Sequence, residues 1–196
     1  LIPQKSTKKF RCEMKKLAVV LAASVAFAFS APAVSAAMDS ESYEAQAAAS
    51  DAAISAHEDM IDAFGKDSLK PGQYVWRDVP ESAGPERVVV SLGDQLAYVY
   101  RGNTLMAVAS VSSGRPGYDT PTGEFQILGK EVMHRSKKYE DAPMPYSEFF
   151  TSYGAALHAG GNPGEPSSHG CVHLPPAFAK KLFTITDVGT PVLIGA

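Results

Sequence analysis

Residues 87–112 read RVVVSLGDQLAYVYRGNTLMAVASVS, and the spacing within that run decides the fold class. Val88-Val89-Val90 is a short apolar run of β-branched residues, and Gly93-Asp94 is a turn signal. The chain then alternates from Gln95 to Tyr100. Leu96, Tyr98 and Tyr100 fall on one face, with Ala97 and Val99 on the other. A period of two between turn residues is the pattern of strands, not of a helix. Arg101-Gly102-Asn103 turns the chain again into a further apolar run over residues 104–112. The expected class is mainly β.

Working toward the C-terminus, breaks at residues 114–117 and 120–123 bracket another short strand over 124–128. Residues 129–153 show no clean period. They carry charge, then Ala142-Pro143-Met144-Pro145-Tyr146, then Phe149-Phe150. A connection of that length reads as a flap over substrate, or as core packing if its aromatics turn inward. Residues 155–158 read as a short strand. Past Pro175-Pro176, residues 177–183 read as one short helix that buries Phe178 and Leu182, four apart. Residues 192–194 close the chain as a last strand.

Toward the N-terminus, Pro71-Gly72 and residues 80–85 read as linker. Residues 39–64 are Ala-rich and acidic, with a start signal at Asp39/Ser40, a stop at Gly65, and Ile54, Ile61 and Phe64 as the expected buried face. Further upstream, Met14-Lys15-Lys16 precedes an apolar run from Leu17 to Phe29 and a small-residue ending at Ala36. Those are the parts of a secretory signal, with cleavage expected after Ala36. A spanning helix needs roughly 20 apolar residues, and Pro32 and three serines interrupt this run. The expected organisation is therefore upstream residues and signal over 1–36, a helical extension and linker over 37–86, and the main domain over 87–196. The expected product is exported, periplasmic and not membrane-held after cleavage.

Removing residues 1–36 leaves 12 basic against 20 acidic residues, a net charge of −8. Nucleic-acid binding draws on a basic surface that releases counterions, so that class is excluded. Cys12 lies in the upstream stretch, which leaves Cys171 as the one cysteine of the exported chain. An unpaired thiol in an oxidising compartment points to chemistry.

That thiol sits in the most informative segment, residues 158–175, HAGGNPGEPSSHGCVHLP. Three histidines and Cys171 fall within 16 positions, separated by glycines and prolines that let the chain double back. Across a hairpin-like loop, His158 is then able to face Cys171. A free thiol is mostly protonated at neutral pH, and an adjacent imidazole converts it to thiolate and later returns the proton to a departing amine. Gly170, just before Cys171, clears space for a substrate carbonyl, and the nearby backbone N–H groups are candidate oxyanion donors. Two other readings stay open from residue types alone: an inert buried thiol, and a zinc site built from His158, His169, Cys171 and His173. His57 and His134 read as surface residues.

Ser168-His169-Gly170-Cys171, preceded by His158 and a Gly-rich spacer, resembles the signature of the L,D-transpeptidase catalytic domain, also called the YkuD domain. The resemblance extends over residues 87–196. It takes in Ser113-Gly114, the Thr120-Pro121-Thr122-Gly123-Glu124-Phe125 block and Met144-Pro145-Tyr146. It implies a β-sandwich of mixed strands with a short helix and the site under a flap. It implies Cys171 as nucleophile, His158 as proton acceptor and donor, and backbone groups of His169 and Gly170, with that of Cys171, as the oxyanion hole. Ser168, His173, Met144 and Tyr146 would contact substrate, with no cofactor and no metal. The implied reaction cleaves the diaminopimelate–D-alanine bond of a peptidoglycan tetrapeptide stem. The acyl group passes to an amine, giving a 3–3 cross-link or attaching a lipoprotein to the wall. Relatives that hydrolyse stems, and an inactive wall-binding module, are the alternatives. One position departs from the family pattern. Two residues after the cysteine the family usually has Arg or Asn, and this chain has His173, which lacks a guanidinium's fixed fork of donors. Ala159 offers no hydroxyl to orient His158, so a backbone carbonyl must do so.

Overall fold

Strand β3 (Leu96–Arg101) is buried along its whole length, and its two faces enter two different cores. The structure is a computed structural model and describes residues 40–196; the expected signal segment and its cleavage after Ala36 lie outside the described residues. Ala97 and Val99 join the larger core with Val88, Val90, Phe125, Leu157 and Val172. Leu96, Tyr98 and Tyr100 join the smaller one with Val89, Leu105 and Val108. A strand buried on both faces must lie inside a sheet covered on both sides. That is its position.

The covering layers follow from chain order. Strands β1 (Tyr74–Trp76), β2 (Glu86–Ser91), β3, β4 (Thr104–Ser110), β5 (Gly123–Gln126) and β10 (Pro191–Gly195) form one sheet in the order β1-β4-β3-β2-β10-β5. Its pairs are antiparallel except β2 with β10. Strands β6 (Gly129–Arg135), β7 (Pro143–Phe149), β8 (Ala156–Ala159) and β9 (Val172–Leu174) form a second sheet in that order, with β8 and β9 parallel. The protein is thus a mixed-strand, mainly β structure of two sheets. Helix α2 (Pro176–Ile185) adds Phe178, Ala179 and Leu182 to the larger core, with the expected four-residue spacing and Pro in its first turn.

Helix α1 (Tyr43–Phe64) packs on the opposite face of the six-stranded sheet, but not as the sequence suggests. Ile54 and Ile61 are 63% and 45% exposed, whereas Ala45, Ala49, Ala53, Ala56 and Met60 are buried. The helix lies too close to the sheet for larger side chains: a Cβ on Gly195 would stand 2.7 Å from the Ala49 carbonyl oxygen. Its N-cap is Ser42, whose Oγ accepts from the Ala45 N–H at 3.2 Å. Ser40 is drawn away into an antiparallel bridge with Glu124, which moves the helix start past Asp39/Ser40. Gly65 ends the helix as expected.

Residues 129–153 also differ from expectation. They form the antiparallel pair β6–β7 around a turn at 136–142. The pairing runs from Gly129↔Phe149 to Arg135↔Pro143 but skips Val132 and Tyr146, the latter at φ +57°. Prolines at 143 and 145, and an outer strand that is mostly exposed, erase the alternation that marks a strand. β1 was hidden for a related reason: three residues between turn signals carry too short a pattern.

Candidate active site

Parallel neighbours β8 and β9 carry the two chemically central residues. His158 is on β8, and its Cα partner in register is His173 on β9. Cys171 immediately precedes β9. The connection is therefore a crossover between parallel strands, not the hairpin expected, and residues 160–171 supply its length. That crossover is stapled to the end of β4. Asn162 Nδ2 donates to the Ser110 carbonyl at 2.7 Å, Ser112 Oγ donates to Glu165 O at 2.6 Å, and the Ser168 amide donates to Ser113 O at 3.0 Å.

The turn into Cys171 is held from within. Ser168 is buried, donates its Oγ–H to Cys171 O at 2.5 Å and accepts from the Gly170 N–H at 3.1 Å. Both hydrogen bonds stay inside the turn, and Ser168 lines neither cavity described below. It braces the turn. The Gly170 amide donates within that brace. What Gly170 contributes is its φ of +106°, a conformation L side chains rarely adopt.

Two cavities converge on Cys171. The larger, about 760 Å³, also meets Tyr118, Lys137, Lys138, Phe149 and Tyr153. The smaller, about 210 Å³, contains His158 and His173 together with Gly160 and Gly161. Both are lined by Ser136, Tyr139, Met144, His169 and Cys171. Met144 thus stands at the site. Tyr146 does not: its ring packs 5.8 Å from Phe183 and lines neither cavity. Phe150 is fully buried in the core, so the expected aromatic flap divides, part wall and part core. His134, read as a surface residue, lines the larger cavity with its ring 5.0 Å from Phe149.

His158 is oriented by a backbone carbonyl, as the missing hydroxyl at Ala159 requires. Its Nδ1–H donates to Ala159 O at 2.9 Å, which leaves Nε2 as the basic nitrogen. Burial holds its pKa down to about 4, with His173 pushing the same way and the Ala159 hydrogen bond opposing. Burial also pushes the Cys171 thiol up, partly offset by the Ala156 backbone amide. Both shifts favour the uncharged forms, an imidazole and a thiol. Cys171 Sγ lies 3.9 Å from the Gly154 carbonyl oxygen, and the thiol is half-buried. Among the described residues no cluster of three or more His, Cys, Asp or Glu is placed to hold a metal ion. The zinc reading of His158, His169, Cys171 and His173 therefore has no geometry behind it.

Arg115, Tyr118 and Tyr139, which sequence reasoning missed, gather around His169 beside the cavities. The His169 ring lies 4.3 Å from that of Tyr139 and 4.7 Å from that of Tyr118. Arg115 Nη2 donates to His169 Nε2 at 2.8 Å while its guanidinium stacks 4.5 Å over Tyr118. Nothing in the spacing of Arg115, Tyr118 and Tyr139 announces this, because they come from two loops far apart in the chain.

Residues 85–194 match the model of the YkuD family, the L,D-transpeptidase catalytic domain. The chain belongs to that family. Solved L,D-transpeptidases share its fold. The enzyme from Stackebrandtia nassauensis is 29% identical at a TM-score of 0.54, covering 69% of this chain and 64% of that one. The one from Xylanimonas cellulosilytica is 26% identical at 0.52, covering 61% and 64%. L,D-transpeptidase 3 from Mycobacterium tuberculosis, solved with a faropenem-derived adduct, is 23% identical at 0.52, covering 57% and 60%. This L,D-transpeptidase-family chain spans less than two thirds of the length of each of these neighbours. Among curated proteins, no sequence matches.

Proposed function

We propose that this L,D-transpeptidase-family protein is an exported acyltransferase acting on peptidoglycan stem peptides, with Cys171 as nucleophile and His158 as its base. The observation that carries this reading is the tautomer of His158. Its Nδ1–H is tied to Ala159 O, so Nε2 carries the lone pair in a cavity shared with the lone thiol. Cys171 Sγ attacks the carbonyl of the diaminopimelate–D-alanine bond, and the thiol proton passes to His158 Nε2 as the S–C bond forms. The same proton then goes to the departing D-alanine amine, leaving a thioester. An amine on a second stem or on a lipoprotein attacks the thioester and regenerates the thiol. Positioned proton transfer of this kind contributes about 10²–10⁴-fold to rate. With the Gly170 amide engaged, the His169 and Cys171 amides are the donors left for the oxyanion.

Export rests on the sequence of residues 14–36. No helix among the described residues is long and apolar enough to cross a membrane. Incubating purified protein with tetrapeptide-bearing muropeptides and separating the products tests the reaction. Cross-linked dimers with release of D-alanine are expected. Tripeptides alone would make the protein a hydrolase, and unchanged tetrapeptide would refute the proposal.

A further inference from the structure

His173 stands where the family usually places Arg or Asn, and its surroundings are built for an imidazole. Its ring lies flat over Gly160, where a Cβ would come within 2.7 Å of the His173 Cγ. Its Nδ1–H donates to Gly161 O at 2.9 Å, as that of His158 does to Ala159 O one strand over. The two rings meet edge to face at 4.8 Å. Both therefore keep Nε2 as the unprotonated nitrogen, and both line the smaller cavity with Cys171.

Among the described residues, no carboxylate lines that cavity. Its other walls are apolar or uncharged, among them Met144, Pro143, Gly160 and Gly161. A primary amine in water is an ammonium with a pKa of about 10.4, and a cavity with no anion disfavours the charged form, so a proton is shed as the group enters. An ammonium that becomes an amide must lose two protons. One leaves before attack and the second as the N–C bond forms. Cys171 takes back one proton when the thioester breaks, by way of His158. The other needs a separate acceptor.

We infer that His173 is a second catalytic base, taking a proton at Nε2 from the primary amine that enters the smaller cavity to attack the acyl-enzyme. This rests on the acyl-enzyme reading above. The step balances: the ammonium gives one proton to His173 and the resulting amine attacks the thioester carbonyl. The second N–H proton passes through His158 to the departing Sγ, and His173 releases its proton to solvent. The titratable groups sharing the cavity with His173 are His158 on β8, Tyr139 of the β6–β7 turn, and Cys171 and His169 of the crossover. Burial lowers the proton affinity of His173, with His169 adding to the effect and the Gly161 hydrogen bond opposing it, so the ring returns to its neutral form between turnovers.

Rapid-quench mass spectrometry on the full chain separates the two half-reactions. A tetrapeptide muropeptide serves as donor, and a second stem with a free side-chain amine as acceptor. His173→Gln and the shorter His173→Asn are compared with the parent, each checked for an unchanged thermal midpoint. Either variant that folds is expected to slow discharge of Cys171 more than about tenfold beyond any slowing of its loading near pH 7. The deficit should close toward pH 10, where bulk solvent deprotonates the amine, a signature that a merely structural role does not give. Discharge at the parent rate, equal loss in both half-reactions, or a deficit independent of pH would overturn the inference. If the parent never carries the acyl group, the acyl-enzyme reading itself fails, and the inference with it.

Discussion

At the scale of single residues, burial sets the chemistry more than pairing does. His158 is 4% exposed, and its pKa of about 4 keeps it neutral, and able to accept a proton, well below the usual histidine range. Burial raises the thiol pKa, which favours the protonated form at neutral pH. The proton must therefore move during attack. The rate of Cys171 acylation is expected to stay level from about pH 8 down to about pH 5 and to fall only as His158 protonates near its own pKa. Stopped-flow acylation by a penem across that range checks this, and an acid limb near the unperturbed histidine value of about 6.5 would contradict it. The meeting of Cys171 and His158 at one cavity, beside the turn around Gly170, was legible in the sequence because these residues lie close along the chain. Arg115, Tyr118 and Tyr139 were not, since their meeting at His169 depends on how loops from the two sheets are brought together.

At the scale of elements, the end of α2 shows a buried charge held by its neighbours. Glu148 on β7 is fully buried; Thr186 Oγ1 donates to its Oε1, Lys130 Nζ lies 4.0 Å from the same oxygen, and Oε2 has no partner. Lys130 itself donates to Phe183 O at 2.7 Å and to Thr186 O, capping the negative end of the helix. Burial raises the Glu148 pKa to about 7, with Thr186 and Lys130 pulling it back. The folded protein thus holds a proton that the unfolded chain gives up above about pH 4.5, so stability from this group falls as pH rises from about 4.5 to 7. Glu148→Gln should remove that loss. Relative to the parent it should gain on the order of 3 kcal/mol in urea unfolding between pH 5 and pH 8, and a constant difference would count against it. The helix itself was legible from Phe178 and Leu182. Hairpin β6–β7 was not, because Pro143, Pro145 and the left-handed Tyr146 break its alternation.

At the scale of the whole molecule, the six-stranded sheet is covered on both faces. That is why β3 carries apolar side chains on both faces from Leu96 to Tyr100. What the sequence hid was how closely α1 approaches. Its buried face is built of alanines, a weak signal beside Ile54 and Ile61, which remain outside. The cause lies in Gly195 at the far end of the chain, where a side chain would strike Ala49 O and the Ser50 Cα at 2.7 and 2.8 Å. Gly195→Ala should therefore lift α1 from β10 and destabilise the protein by about 1–3 kcal/mol, read as a lower urea midpoint; an unchanged midpoint would mean that α1 contributes little.

All of the proposed chemistry turns on one bond to sulfur. Intact mass and peptide mapping after treatment with a penem test it most directly, on the parent, Cys171→Ala and His158→Ala. A single adduct on Cys171 is expected in the parent and none in Cys171→Ala. In His158→Ala the adduct should form about 10²–10⁴-fold more slowly. Equal labelling of Cys171→Ala, or an undiminished rate without His158, would contradict the account.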